Sequence, residues 1–366
     1  MRILYVAAVR MPTEKAHGLQ IMKMCEAYTR LGHEVTLVVP DRENVIREDP
    51  FAYYAIKTRF GIEKLRAPEF IPYDMITYWW HRLVFAFAAW RFTRQARCDV
   101  IHTRDELIAL FLSFGGTPYI FEVHEGRWNM LMRRAARKAR SMPVLTHGLA
   151  AYFAAHGVAP HKLMVSPDAV DLGDFAHPES RESSRARLNL PKEKKIALYI
   201  GLIDAWKGTD TFFAASAHVP DDILLAVIGG KDDQIAPLKT KYPKVLFLGS
   251  RPYRELANNQ SAADVLVLPN SGKHAISSRD TSPLKLFTYM ASGRAIVASD
   301  LPSLREVLDE RTAEFFTPDD ADSLARAIAR VLENAAHADS LARAAREKVT
   351  AYTWEARAEH IIEAIL

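Results

Sequence analysis

KIALYIGLIDAWKGTDTFFAASAHVPDDILLAVIGG, residues 195–230, is the stretch on which the fold turns. Its two ends, KIALYIG (195–201) and ILLAVIGG (223–230), are short apolar runs closing on glycine, and residues 208–218 between them carry a helical pattern. Strand, helix and strand in that space make a βαβ unit, whose strands lie parallel in one sheet. The alternation continues through a helix at 233–241, KVLFLG (244–249), a helix at 253–262, DVLVLPN (264–270), a helix at 283–292 and AIVAS (295–299).

A similar series precedes it. ILYVAAV (3–9), a helix over Leu19 to Leu31 and EVTLVVP (34–40) are followed by DVIHT (99–103), PYIFEVH (118–124), PVLT (143–146) and KLMVS (162–166), with helices near 105–113, 127–140 and 148–156. The expected fold class is therefore α/β, with two Rossmann-like doubly wound domains facing across a central cleft, where strand carboxyl ends would meet a ligand. The expected boundaries are a first domain at 1–167, a polar linker at 168–191 and a second domain at 192–350, with a C-terminal helix at 351–366 packing back on the first.

Composition agrees with a globular protein, since 366 residues with 49% hydrophobic and 25% charged content can bury two cores. Cys25 and Cys98 stand far apart in no metal-ligand spacing, so a disulfide framework and a zinc site are not indicated. A reducing, cytoplasmic compartment is expected, and the apolar run in MRILYVAAVR (1–10) is too short for a signal peptide's apolar core and reads as a strand. Neither G-x-x-x-x-G-K-[ST] nor G-x-G-x-x-G occurs, which removes the main support for a P-loop ATPase or a dinucleotide enzyme. Residues 1–170 hold 23 Lys and Arg against 16 Asp and Glu, and the remainder 25 against 28. The basic half suits an anionic acceptor or an anionic membrane surface, here the inner face; no nucleic-acid partner is expected. ITYWWHRLVFAFAAWRFTRQAR (76–97) is interrupted by His81 and Arg82, too short an apolar run to span a bilayer. It reads as a domain helix or as an interfacial one. Asp320-Ala321-Asp322 reads as a helix cap, and no metal is expected.

The sharpest local signal is TSPLKLFTYMASG (281–293), directly after DVLVLPN and a polar loop. Ser282 is the expected N-cap, Pro283 and Leu284 fall in the first turn, and Gly293 is the expected stop. Such a helix start offers backbone N–H groups and a positive dipole end to a phosphate.

At this stretch the chain resembles the GT-B fold glycosyltransferases of glycosyltransferase family 4, the group of glycogen synthase and phosphatidylinositol mannosyltransferase. The matching pieces run in family order over nearly the whole length: AHGLQ (16–20), FEVHE (121–125), VSPDAVDLGDF (165–175), YIGLIDAWKG (199–208), FLGSRPYREL (247–256), ADVLVLPN (263–270), SPLKLFTYMASGRAIVASDLPSLREVL (282–308) and FTPDDADSLARAI (316–328). The resemblance implies a retaining glycosyltransferase that moves a sugar from a nucleotide-diphosphate donor to a glycan or lipid-linked acceptor, without any cofactor besides the donor.

It also implies roles by position. Lys207 resembles the family lysine at the donor diphosphate, where an ammonium offsets charge on the leaving group. Gly18 falls in the family's glycine-bearing loop near the donor phosphate, His124 beside the donor sugar, and Arg251 and Tyr253 near the nucleobase. The family's paired glutamates, eight positions apart, read Asp280 and Thr288 here, and the arginine often found after the YIG glycine reads Leu202. Asp280 keeps a carboxylate for sugar hydroxyls, whereas Thr288 cannot accept from both ribose hydroxyls as a carboxylate does. These two departures keep open a non-catalytic relative that binds glycan or a partner; a GT-B nucleotide-sugar epimerase is the other alternative.

Overall fold

The computed structural model describes residues 1–67 and 75–365. The chain divides into two compact units, Met1–Pro167 with Trp354–Leu366, and Asp168–Thr353.

In the first unit, β1 (Arg2–Val6), β2 (Glu34–Asp41), β3 (Gly61–Arg66), β4 (Val100–Thr103) and β5 (Tyr119–Phe121) form a parallel sheet in the order β3-β2-β1-β4-β5. Bridges from Ile120 to Ser141 and from Val123 to Val144 extend it into β6 (Met142–Val144) and β7 (Leu163–Val165). Buried β1 residues pair on both sides, Ile3 with Val35 of β2 and with Val100 of β4, so the strand order reverses between β1 and β4. In a doubly wound sheet that reversal opens a crevice at the strand carboxyl ends.

The second unit repeats the plan with β8 (Lys195–Ile200), β9 (Ile223–Ile228), β10 (Val245–Phe247), β11 (Val265–Leu268), β12 (Ala295–Ser299) and β13 (Glu314–Phe316), in the order β10-β9-β8-β11-β12-β13. Successive side chains of a strand face opposite ways. Ile196, Leu198, Leu266, Leu268, Ile296 and Ala298 accordingly join one core with Leu286, Phe287 and Met290 of the helix Leu284–Ala291. Ala197, Tyr199, Val265, Val267, Ala295 and Val297 join the other, with Phe212, Phe213, Leu324 and Ile328. Continuous apolar strands are thus covered by helices on both faces. Strand order reverses between β8 and β11.

Two expectations change. Residues 168–191 are not a free linker: Val170, Phe175, Leu188 and Leu190 are buried in the second core, and Arg185 on the helix Arg181–Arg187 donates to the Ala262 carbonyl and pairs with Asp264. Four apolar anchors at irregular spacing amid polar residues carry no period, which is why the segment reads as loop. The edge strands β3 and β13 carry no clear sequence signal, because β3 is mixed in polarity and β13 is three residues long. The helix Trp354–Glu363 belongs to the first unit, while Leu366 lies outside the described residues.

Between β8 and the helix Thr209–Ala215 the chain makes a tight turn at Ala205–Lys207 and passes through Gly208 at φ +65°. A Cβ on Gly208 would sit 1.8 Å from the Pro269 carbonyl oxygen, and Ser271 N donates to Trp206 O at 3.1 Å. The turn is therefore seated on the end of β11. Left-handed backbone costs a non-glycine residue roughly 1–2 kcal/mol and forced overpacking about 1–3 kcal/mol. Gly208→Ala should lower unfolding stability by about 2–4 kcal/mol; a chemical-denaturation midpoint equal to that of the wild type would contradict this seating.

Candidate functional site

The first unit centres on one buried carboxylate. Glu122, following β5, is fully buried. Gln20 Nε2, from the helix Ala16–Arg30, donates to its Oε1 at 2.6 Å, and His102 Nε2, from β4, to its Oε2 at 2.9 Å. His124 Nε2 and Arg357 Nη2 also donate to Oε1, the latter at 3.0 Å. Burial alone would raise the Glu122 carboxyl, but the Arg357 guanidinium and the two imidazole hydrogen bonds outweigh it and hold the group well below the usual carboxylate range.

An ionised Glu122 accepts only, so both imidazoles carry their proton on Nε2. Tyr28 OH completes the assignment by donating to His102 Nδ1 at 3.0 Å. Burial, reinforced by the Arg104 charge, lowers His124 to about 4 against the pull of Glu122. At neutral pH His124 is therefore an uncharged ring with a lone pair on Nδ1. It is partly exposed and lines a groove with Trp79, Arg82, Arg104, Arg127 and Met132. The groove's volume of about 360 Å³ lies within the range of small-molecule sites. A smaller hollow beside it, at the switch point between β1 and β4, is lined by Ala7, His17 and again Arg104.

The second unit brings cations to its own switch point. Lys207 stands on the turn after β8, its Nζ 5.0 Å from the Trp206 ring centroid. Lys285, in the first turn of the helix after β11, donates from Nζ to Tyr199 OH at 2.8 Å and lies 4.0 Å from that ring's centroid. Tyr199 OH in turn donates to Leu202 O at 2.8 Å. Burial, then the Lys207 charge, pushes Lys285 well below the usual lysine range; burial lowers Lys207, with Asp204 opposing. Among the described residues neither ammonium has a carboxylate within ion-pair distance. Lys285 was not anticipated from sequence, because one lysine in an apolar helix reads as an ordinary surface residue.

The remaining expected residues fare differently. Gly18 is required for packing, since a Cβ there would lie 2.2 Å from Tyr54 OH, and that hydroxyl is tied to Thr13 N and Thr13 O. The space a side chain would take at Gly18 is filled by Tyr54 and Thr13. Ser282 does not cap its helix: Pro283 holds the N-cap position, Leu284 begins the helix, and the buried Ser282 hydroxyl has no hydrogen-bond partner among the described residues. The N-cap position, with its extended backbone, falls on Pro283, which has no side-chain oxygen, and Ser282 stands one residue too early to cap. Thr288 is buried and donates to Lys285 O while accepting from Gln260 Nε2, both at 3.1 Å. Its hydroxyl is thus engaged within the fold. Asp280 is buried at the end of a π-type turn and paired with Arg279. Arg251 is exposed and Tyr253 half-buried on the loop after β10, which is anchored by Ser250 Oγ donating to Gly230 O at 3.0 Å. Asp320 does cap the helix Ala321–Glu333, accepting from Ser323 N at 2.9 Å.

Comparison with known proteins follows these landmarks. The family model "Glycosyl transferases group 1" matches residues 180–348, and "Glycosyltransferase Family 4" matches 18–174. D-inositol 3-phosphate glycosyltransferase of Nocardioides sp. is 27% identical over 228 residues, 56% of this chain and 48% of that protein. Phosphatidyl-myo-inositol mannosyltransferase of Mycolicibacterium smegmatis is 30% identical over 195 residues, 51% and 47% of the two chains. The chain thus spans about half the length of the curated relatives it matches. Among solved structures, sucrose-phosphate synthase from Thermosynechococcus elongatus superposes with a TM-score of 0.79 at 24% identity, covering 99% of this chain and 97% of that one. Anabaena HepE in complex with UDP and glucose gives 0.79 at 14% identity, covering 99% and 98%. The fold of both is that described above.

Burial and the Arg104 charge also lower His17 to about 4, against roughly 6.5 for an unfolded histidine. Between these values the unfolded chain binds a proton that the folded chain does not, so the folded state loses stability as pH falls from about 6.5 toward 4. His17→Gln should remove this share: the stability difference between variant and wild type should move in the variant's favour from pH 7 to pH 4.5. Denaturant titrations at both pH values measure it, and a pH-independent difference would refute the assignment.

Proposed function

As a member of the family 4 glycosyltransferases with the GT-B fold, the chain, we propose, is a retaining glycosyltransferase that moves a sugar from a nucleotide diphosphate to a glycan or lipid-linked acceptor. The observation that carries this reading is Lys207, a half-buried ammonium with no carboxylate at ion-pair distance among the described residues, seated by Gly208 at the β8–β11 switch point. In the reaction the bond from the anomeric carbon to the diphosphate oxygen breaks and the leaving diphosphate keeps the electron pair. The acceptor oxygen bonds the same face of that carbon, and its proton passes to the departing diphosphate. Charge on the leaving group is largest in the transition state, where a fixed cation contributes most.

In the first unit, neutral His124 offers Nδ1 to a sugar hydroxyl, with Glu122 holding the ring by its other nitrogen. In the neighbouring groove Arg82 pairs with Asp105 and Arg127 with Glu125, while Arg104 donates to the neutral Gln20 and is the cation an anionic acceptor would meet. A lipid-linked acceptor is supported by the helix Met75–Gln95. It buries His81, Phe85, Ala86, Ala89 and Thr93 but leaves Met75, Ile76, Trp79, Trp80 and Phe87 exposed. Exposed Met130 and Leu131, with Arg133, Arg134 and Arg137 on the helix Met130–Lys138, extend that character. Apolar side chains among arginines suit an anionic lipid surface. No helix among the described residues is long and apolar enough to cross a membrane.

A thermal-shift screen with UDP, GDP, ADP and their sugars identifies the donor, since a ligand of the native state raises the melting temperature. With that donor, Lys207→Ala should lower kcat by about 10²-fold while weakening nucleoside binding much less. Unchanged turnover in the folded variant would remove Lys207 from the site. The protein should also sediment with anionic vesicles at low salt and release as salt rises, since screening shortens the attraction to about a Debye length. Absence of binding at low salt would leave a soluble acceptor.

A further inference from the structure

Two lysines with no carboxylate at ion-pair distance among the described residues stand at the switch point of the second unit, and the proposal above uses only one of them. From their geometry we infer that Lys285 is a second diphosphate-binding residue of this chain, supplying from the helix after β11 the cation that Leu202 does not supply from the loop after β8. The inference rests on the donor reading proposed above and adds to it the residue that completes the charge balance.

Four observations support it. Lys285 and Lys207 are close enough that the Lys207 charge depresses the protonation of Lys285, and like charges are held together only at a cost that a bound anion relieves. The Lys285 ammonium has three N–H donors, and Tyr199 OH is its hydrogen-bond partner, so donors remain for a ligand. Tyr199 also fixes where the ammonium sits, through the hydrogen bond and through the ring beneath it. Finally, Gly201 keeps the approach open: a Cβ there would lie 3.0 Å from both Lys285 Nζ and Tyr199 OH. Leu202, the next residue, is half exposed and apolar, and its carbonyl is the group to which Tyr199 OH donates. One hydrogen-bonded relay thus joins Lys285 to the backbone of residue 202. Two lysines, one on the turn after β8 and one on the helix after β11, match the two phosphates of a nucleoside diphosphate, whose charge would also favour the protonated form of Lys285.

Calorimetric titration of UDP, GDP and ADP, and of the matching nucleosides, into the wild type, Lys285→Met and Leu202→Arg/Lys285→Met is the test. The expected result is a loss of tenfold or more in diphosphate affinity for Lys285→Met, nucleoside affinity within about twofold of the wild type, and partial recovery in the double variant. Wild-type binding of a diphosphate with equal affinity in Lys285→Met would overturn the inference and leave the donor reading standing. Failure of the wild type to bind any of the three diphosphates would defeat both. A second measurement needs no variant. Reductive methylation of the wild type, read by mass spectrometry, should spare Lys285 when the diphosphate or inorganic pyrophosphate is bound but not when the nucleoside alone is present. Equal labelling with and without a bound diphosphate would also overturn the inference.

Discussion

A fully buried carboxylate has to be paid for with donors, and the first unit is arranged around that requirement at Glu122. Donors converge on it from the helix after β1 through Gln20, from β4 through His102, from the residue two positions on through His124, and from the C-terminal helix through Arg357. Arg357 also donates to Pro167 O at 2.8 Å and to Ser166 O at 3.2 Å, so one guanidinium ties the returning helix to the point where the chain leaves the unit. Removing one partner of such a buried pair costs about 3–5 kcal/mol, because the other charge stays behind without water. That energy keeps the C-terminal helix docked and the His124 ring in a single tautomer.

The second unit solves a different problem, holding cations without neutralising them. Aromatic rings do this work: Trp206 lies beside Lys207 and Tyr199 beneath Lys285, and ring faces attract an ammonium without cancelling its charge. Backbone placement matters equally. Gly229 at φ +134° would bring a Cβ within 1.9 Å of Gly201 O, so the ends of β8 and β9 approach more closely than any side chain allows. Ser250 and Gly249 extend the same contact to the loop after β10 through Gly230 O and Gly229 N. The loops that carry Lys207, Arg251 and Tyr253 are anchored to the strand ends by these close contacts.

The site residues differ in how readable they were, and the reasons are local. Lys207 is singled out in the sequence by the family resemblance of its Trp-Lys-Gly turn, and Gly208 at φ +65° is the geometric reason for that turn. His124 was accessible as the last residue of an apolar strand run. Gly18 has a packing task that its sequence neighbours do not announce, since Tyr54 takes the place of a side chain there, and Pro283 rather than Ser282 holds the N-cap. Thr288, expected to face a ribose, is engaged by Gln260 from 28 residues away. No pattern within a few residues of Thr288 announces that partner.

The alternation of apolar strands with helices, the two series, the absence of nucleotide-binding glycine motifs and the Gly293 helix stop at φ +69° all follow from the sequence by itself. Each rests on a short-range rule, namely strand period, helix period or the left-handed preference of glycine. Tertiary structure alone decided the pairing of Glu122 with Arg357, 235 positions apart, the meeting of Lys285 with Tyr199, 86 positions apart, and the burial of 168–191 in the second core. Long-range partners are selected by which elements the sheet order makes adjacent, and the energy of a buried charge depends on every donor around it at once.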